Sequence, residues 1–170
     1  MKTKVLLFVL LLIGGSAIAQ IRHVQGIKAV DGYYGFSEFG AAAGLSFVKY
    51  SSSKLYWKVS LFNETGEDQG LYYKSTGLDF SYQYSPINIK EIVYFNALLG
   101  LSSSVDRLDE NEFYNVSNTM KYGFFGGLEI ETFITDRWVF LLNGNQRILF
   151  SDSFGRYRYF ITGGVRFNLK

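Results

Sequence analysis

The sequence predicts an all-β fold: an eight-stranded antiparallel up-and-down transmembrane β-barrel, preceded by a cleaved signal peptide. Three observations lead there. Apolar residues recur with period 2 in segment after segment. Aromatic residues make up 18% of the chain, a share that suits belts of Tyr, Trp and Phe at two membrane surfaces. Beyond the N-terminal leader, no segment is apolar enough over the roughly 20 residues needed to cross a bilayer as a helix.

The leader comes first in the chain. Lys2 and Lys4 give a positive start, Val5 to Ile13 is unbroken and apolar, and Ala17-Ile18-Ala19 offers small residues for cleavage. The expected organisation is a signal peptide over 1–19 and a barrel domain over 20–170. Loss of Lys2 and Lys4 takes the 17 Lys+Arg to 15, equal to the 15 Asp+Glu. A balanced chain offers no basic surface for nucleic acid, so no direct nucleic-acid binding is expected. Cysteine is absent. Stability is therefore expected from packing and strand pairing, with neither a disulfide framework nor a lipidated cysteine.

The strands follow in order. The first is expected within Ile21 to Tyr34. In the second, Ala43, Leu45 and Phe47 oppose Gly44 and Ser46. In the third, Leu55, Trp57, Val59 and Leu61 oppose Tyr56, Lys58, Ser60 and Glu64. In the fourth, Tyr72, Leu78, Phe80, Tyr82 and Tyr84 oppose Ser75, Asp79, Ser81 and Gln83, with Lys74 and Thr76 interrupting the apolar face. The fifth sets Val93, Phe95, Ala97, Leu99 and Leu101 against Asn96 and Ser102. The sixth sets Tyr122, Phe124, Leu128 and Ile130 against Lys121, Glu129 and Glu131. In the seventh, Trp138, Phe140, Leu142, Ile148 and Phe150 oppose Asn143, Asn145 and Arg147. The eighth is the clearest: Tyr157, Tyr159, Ile161, Val165, Phe167 and Leu169 against Arg158, Thr162, Arg166 and Asn168. Short links (51–53, 85–89, 135–136) alternate with longer polar ones (64–70, 104–119), as periplasmic turns and external loops do, and 151–154 forms a tighter external loop. A soluble eight-stranded barrel or sandwich would bury the apolar faces instead. The strand-to-strand alignment of charges on one face favours the membrane barrel.

Eight strands enclose a space that side chains fill. Lys58, Asp79, Lys121, Glu129, Glu131, Arg147, Arg158 and Arg166 are expected to point into it. A charge withdrawn from water persists only when paired and hydrogen-bonded. The expected filling is an ion-pair network of Glu129 and Glu131 with Arg147 and Arg158 or Arg166, which would close the barrel rather than let it conduct. On that reading Glu129→Ala leaves a buried arginine unpaired, at about 3–5 kcal/mol.

Parts for chemistry are sparse. His23 is the one histidine; it reads as an incidental surface residue, or as the base of a lipid-acting enzyme if a serine sits beside it. Glu129 and Glu131 share a face but face no cleft, so ion pairing is preferred to a glycosidase pair. Asp106, Asp109, Glu110 and Glu112 read as a solvated loop rather than a cation site, their spacing being unlike an EF-hand. Asn63-Glu64-Thr65 and Asn115-Val116-Ser117 fit a glycosylation pattern that has little meaning in a bacterial barrel. No cofactor, metal site or catalytic residue is expected.

Three stretches near the C-terminus carry a resemblance. Thr135-Asp136-Arg137-Trp138-Val139-Phe140-Leu141-Leu142, Gln146-Arg147-Ile148-Leu149-Phe150-Ser151-Asp152-Ser153-Phe154-Gly155-Arg156 and Gly163-Gly164-Val165-Arg166-Phe167 resemble the end of the TraO family. Those are conjugative-transposon transfer proteins of Bacteroidetes. Gln25-Gly26-Ile27-Lys28 and Val30-Asp31-Gly32-Tyr33 are similar to that family's opening. The resemblance implies a structural outer-membrane component of a conjugative DNA-transfer apparatus, acting through contacts with other conjugal transfer proteins. Gly163, Val165, Phe167 and Leu169 also form the alternating end that barrel-insertion machinery engages, and outer-membrane lipid is the expected surroundings. The alternative is a general small outer-membrane protein of the porin or adhesin type.

Overall fold

A computed structural model describes residues 23–68, 71–108, 119–150 and 156–169. The leader, Asp109, Glu110, Glu112, the Asn115 pattern and the 151–154 loop lie outside them.

Eight antiparallel strands close into a barrel in sequence order: β1 (Lys28–Ser37), β2 (Gly40–Tyr50), β3 (Leu55–Asp68), β4 (Leu71–Ile89), β5 (Val93–Leu108), β6 (Thr119–Phe133), β7 (Trp138–Phe150) and β8 (Tyr157–Leu169). The alternation decides which way each strand faces. Leu45, Leu61, Leu78, Leu99, Leu101, Leu128, Leu142 and Ile161 stand exposed on the outside, while Arg166, Glu131, Glu64, Gln83 and Asn96 are buried inside. A wall that is apolar outside and polar inside belongs in hydrocarbon, where closure leaves no sheet edge unpaired. Aromatics crowd both ends of the apolar band. Trp138 meets Phe167 at one end, and Phe124 and Tyr122 meet Phe150 towards the other.

The pairing fixes the tilt. From Lys28, cross-strand partners run through Lys49, Trp57, Tyr82, Leu99, Gly126, Gln146 and Tyr159. They return to the first strand's line one residue past β1, at Glu38, whose N–H donates to Tyr159 O at 3.1 Å. The stagger is thus ten residues, which with ordinary strand spacing and rise tilts the strands by about 40°. Sharp curvature at this small radius is accommodated where inward aromatics lie over inward glycines. The Tyr33 ring occupies the space a Cβ on Gly44 would need, Phe62 covers Gly77 and Phe125 covers Gly100.

Several boundaries differ from expectation. β1 begins at Lys28, inside the expected window of Ile21 to Tyr34, and runs beyond it to Ser37. Residues 64–68 and 104–108, expected to lie in long links, are strand instead, because Glu64, Ser104 and Asp106 are lumen residues that continue the alternation. Residues 85–89 also belong to a strand. Pro86 sits at a bulge between Tyr84 and Ile87, beyond the last pairing of β4 with β3, where a missing N–H is tolerated. The chain reverses at Lys90 and Glu91, both at positive φ (51° and 54°), with Ile92 N–H donating to Ile89 O at 3.0 Å. That is the primed turn whose twist suits a hairpin.

Candidate functional site: a packed lumen

The lumen divides into tiers. At the end where β1 begins and β8 finishes, Ala29, Val48, Tyr50 and Tyr56 form one apolar cluster and Tyr94, Phe133, Val139 and Leu141 another. His23 is wedged between them, stacked on Tyr94 with ring centroids 3.9 Å apart. The surface reading of His23 is therefore corrected: it is buried. The segment before β1 turns back over the barrel mouth, held by Gly26 N–H donating to Tyr50 O at 2.8 Å. Gly26 itself is at φ +88°, a conformation that favours glycine. His23 Nε2 lies 2.7 Å from Glu131 Oε2 and Nδ1 lies 3.3 Å from Ser53 O. Both partners are acceptors, so neither nitrogen is turned towards a serine hydroxyl as a catalytic base would require.

The second tier holds most of the charge. Arg166 donates in a fork to Asp31 (Nε–Oδ1 2.7 Å, Nη2–Oδ2 3.1 Å), its direct cross-strand partner. It also donates to Glu129 Oε1 at 3.0 Å, to the Tyr50 hydroxyl at 2.7 Å and, at closer range, to Glu131. Lys58 bridges Glu129 (2.9 Å) and Asp31 (3.1 Å). The Tyr56 hydroxyl contacts Glu131, Gln83 Oε1 (2.7 Å) and Glu129 Oε1 (3.1 Å), and accepts from Asn96 Nδ2 at 3.0 Å. Asn143 Nδ2 donates to Glu129 Oε2 at 3.1 Å.

Arg147 governs the third tier. It donates to both oxygens of Asp79 (3.2 and 2.7 Å) and to Ser102 Oγ (3.1 Å). The rings of Phe62 and Phe160 flank its guanidinium at 4.1 and 3.9 Å. In the fourth tier, towards the long hairpins, Arg158 meets Glu64, Asp106 and the Tyr73 hydroxyl, and Lys121 meets Asp106 at 2.9 Å.

The geometry therefore brings Glu129, Glu131 and Arg166 together and sends Arg147 and Arg158 to other carboxylates, Asp79 and the Glu64–Asp106 pair. Three of the anions were missed as lumen charges. Asp31 was hidden by the uncertain first strand, and Asp106 by its place beside an acidic stretch. Glu64 fell on the inward face of the third strand yet was assigned to a loop. Counting parity inward from Ser102 and Ser104 would have found Asp106. Among the described residues the lumen then holds six carboxylates against five Lys and Arg, and the His23 ring faces Glu131, which Arg166 also contacts. Between the second and third tiers is a cavity of about 40 Å³, bordered by Tyr33, Lys58, Asp79, Glu129 and Arg147. At roughly 10–15 Å³ of such volume per molecule, it is large enough for a few waters. No group of described residues has the makings of a metal site.

The end of the chain decides the comparison with known families. Residues 109–169 match the conjugative transposon protein TraO family. The TraO match runs from the segment before β6 to the end of β8, so it includes Lys121, Glu129, Glu131, Arg147, Arg158 and Arg166. No curated protein matches the chain. Similar solved structures are eight-stranded barrels of the outer membrane. The N-terminal β-barrel domain of Pseudomonas aeruginosa OprF is 12% identical, over 85% of this chain and 98% of that one, with a TM-score of 0.63. Neisserial surface protein A is 14% identical over 84% and 96%, at 0.59. OprG from Pseudomonas aeruginosa is 12% identical over 87% and 99%, at 0.60. At such identities the likeness is one of fold.

Proposed function

We propose that this chain is a structural outer-membrane component of a conjugative DNA-transfer apparatus, working through contacts with other transfer proteins rather than through catalysis. The match of residues 109–169 to TraO carries the reading. The packed lumen supports it from the physical side. A barrel filled by buried ion pairs is a poor conduit, so its contribution must come from the surfaces at its two ends and from its lipid-facing wall. By the usual arrangement of such barrels, the short turns and chain termini face the periplasm and the long hairpins face outward. An N-terminal signal over 1–19 and the alternating Val165, Phe167 and Leu169 fit export followed by delivery to barrel-insertion machinery.

The test is deletion of the gene from a conjugative element, with transfer frequency measured before and after complementation by the full chain. Loss on deletion and recovery on complementation is the expected result. Unchanged transfer would overturn the reading and leave the general porin or adhesin type of outer-membrane protein as the alternative.

A further inference from the structure

On the outer wall, near the long-hairpin end, Lys74 of β4 and Arg107 of β5 are direct cross-strand partners. Both are exposed, and their Cβ atoms are roughly 5 Å apart by the geometry of such pairs. Two like charges so placed repel unless an anion lies between them. Glu67, on β3 diagonally across from Lys74, borders the same surface depression as the two cations, but among the described residues no ion pair within 4 Å joins either of them to a carboxylate. Directly below, towards the middle of the wall, the surface dips into an apolar groove of about 540 Å³. Leu78, Phe80, Leu101, Tyr122 and Phe124 wall it, and small Ser103 forms its floor. The Thr76–Val105 pair is the single step between cations and groove. Lys74 to Leu78 is four residues, roughly 13 Å of strand, and about 10 Å of depth once the tilt is included.

We propose that this face binds one molecule of a membrane lipid with a net anionic phosphate headgroup, its phosphate between Lys74 and Arg107 and an acyl chain in the groove. Charge complementarity selects the occupant. Hydrocarbon alone could fill the groove, but only an anionic headgroup relieves the cationic pair at the level where headgroups lie. The site requires only that the barrel spans a membrane, so it stands or falls separately from the transfer role.

The test uses the mature chain inserted into vesicles of phosphatidylcholine mixed with phosphatidylglycerol of the same acyl chains. The protein is then moved into detergent, and retained lipid is counted by native mass spectrometry. A heat-shifted gel band reports separately that each variant has folded. Wild type should retain phosphatidylglycerol, and Lys74→Gln/Arg107→Gln should reduce that retention about thirty-fold, as expected for two basic groups at an anionic surface. Ser103→Phe keeps both charges and fills the groove; it should reduce retention as well. Equal retention by wild type and the charge variant would overturn the proposal, as would retention of phosphatidylcholine at the same level. Displacement of the lipid by inorganic phosphate would assign the cations to a free anion and also overturn it.

Discussion

Asp79→Ala isolates one buried ion pair. Asp79 is the carboxylate that Arg147 grips with two hydrogen bonds, at 3.2 and 2.7 Å, and both side chains are buried. Removing one member of such a pair costs about 3–5 kcal/mol, because the remaining charge stays buried without compensation. Two features set the value at the lower end. Arg147 keeps Ser102 Oγ and the faces of Phe62 and Phe160, and the adjoining 40 Å³ cavity would widen towards it and admit water. We expect about 3 kcal/mol, on the order of a hundredfold in the folding equilibrium. Urea unfolding in lipid vesicles measures it, with Trp57 and Trp138 on the outer wall as fluorescent reporters. Asp79→Leu/Arg147→Met removes both charges and fills the space, so it should return to within about 1 kcal/mol of wild type or exceed it. A single variant costing under about 1 kcal/mol, or a double variant no better than the single, would refute the claim that an unpaired lumen charge dominates the energetics.

The other predictions concern the same interior and one turn. Glu129→Ala should cost about 1–3 kcal/mol, less than the sequence alone suggests: Lys58 keeps Asp31, and Arg166 keeps Asp31 and Glu131. Equilibrium unfolding of the purified barrel checks it. Glu91→Gly should raise stability by about 1 kcal/mol, since Glu91 holds φ at 54° in a primed turn where glycine carries no strain; an unchanged or lower unfolding midpoint would count against that assignment. Gly44→Ala should destabilise by about 1–3 kcal/mol, because the added carbon would meet the Tyr33 hydroxyl oxygen at 2.3 Å and Leu61 O at 2.6 Å. Thermal loss of the heat-shifted gel band would read it. In planar bilayers the wild-type chain should give no stable open-channel current, and steady conductance would mean that the lumen tiers do not seal.

Which parts were legible follows from what period-2 patterning encodes. In β8 it places Arg158 and Arg166 inside and Ile161 and Val165 outside without ambiguity, and those faces are the ones observed. The same pattern fails where lumen and loop look alike. Glu64, Ser104 and Asp106 are polar because they fill the interior, yet polarity is also how a loop announces itself. His23 shows a different limit. Nothing local marks a residue ahead of the first strand as buried, because its burial depends on Tyr94, Phe133 and Glu131, which are distant in sequence. Pairing of particular charges is likewise non-local. Parity says which side chains enter the lumen, but the ten-residue stagger decides which of them meet, and that number appears only once the barrel closes.

That closure has a kinetic side. β1 and β8 lie at opposite ends of the chain, and the Asp31–Arg166 contact joins residues 135 apart. Loop-closure entropy makes the last seam the slowest contact to find, and long-range β pairing folds slowly for this reason. Yet Arg166 also reaches into β2, β3 and β6 through Tyr50, Tyr56, Glu129 and Glu131. Completing the seam therefore fastens four walls at once, and opening it requires them to be released together. The same arginine that makes assembly wait for the final strand makes disassembly slow.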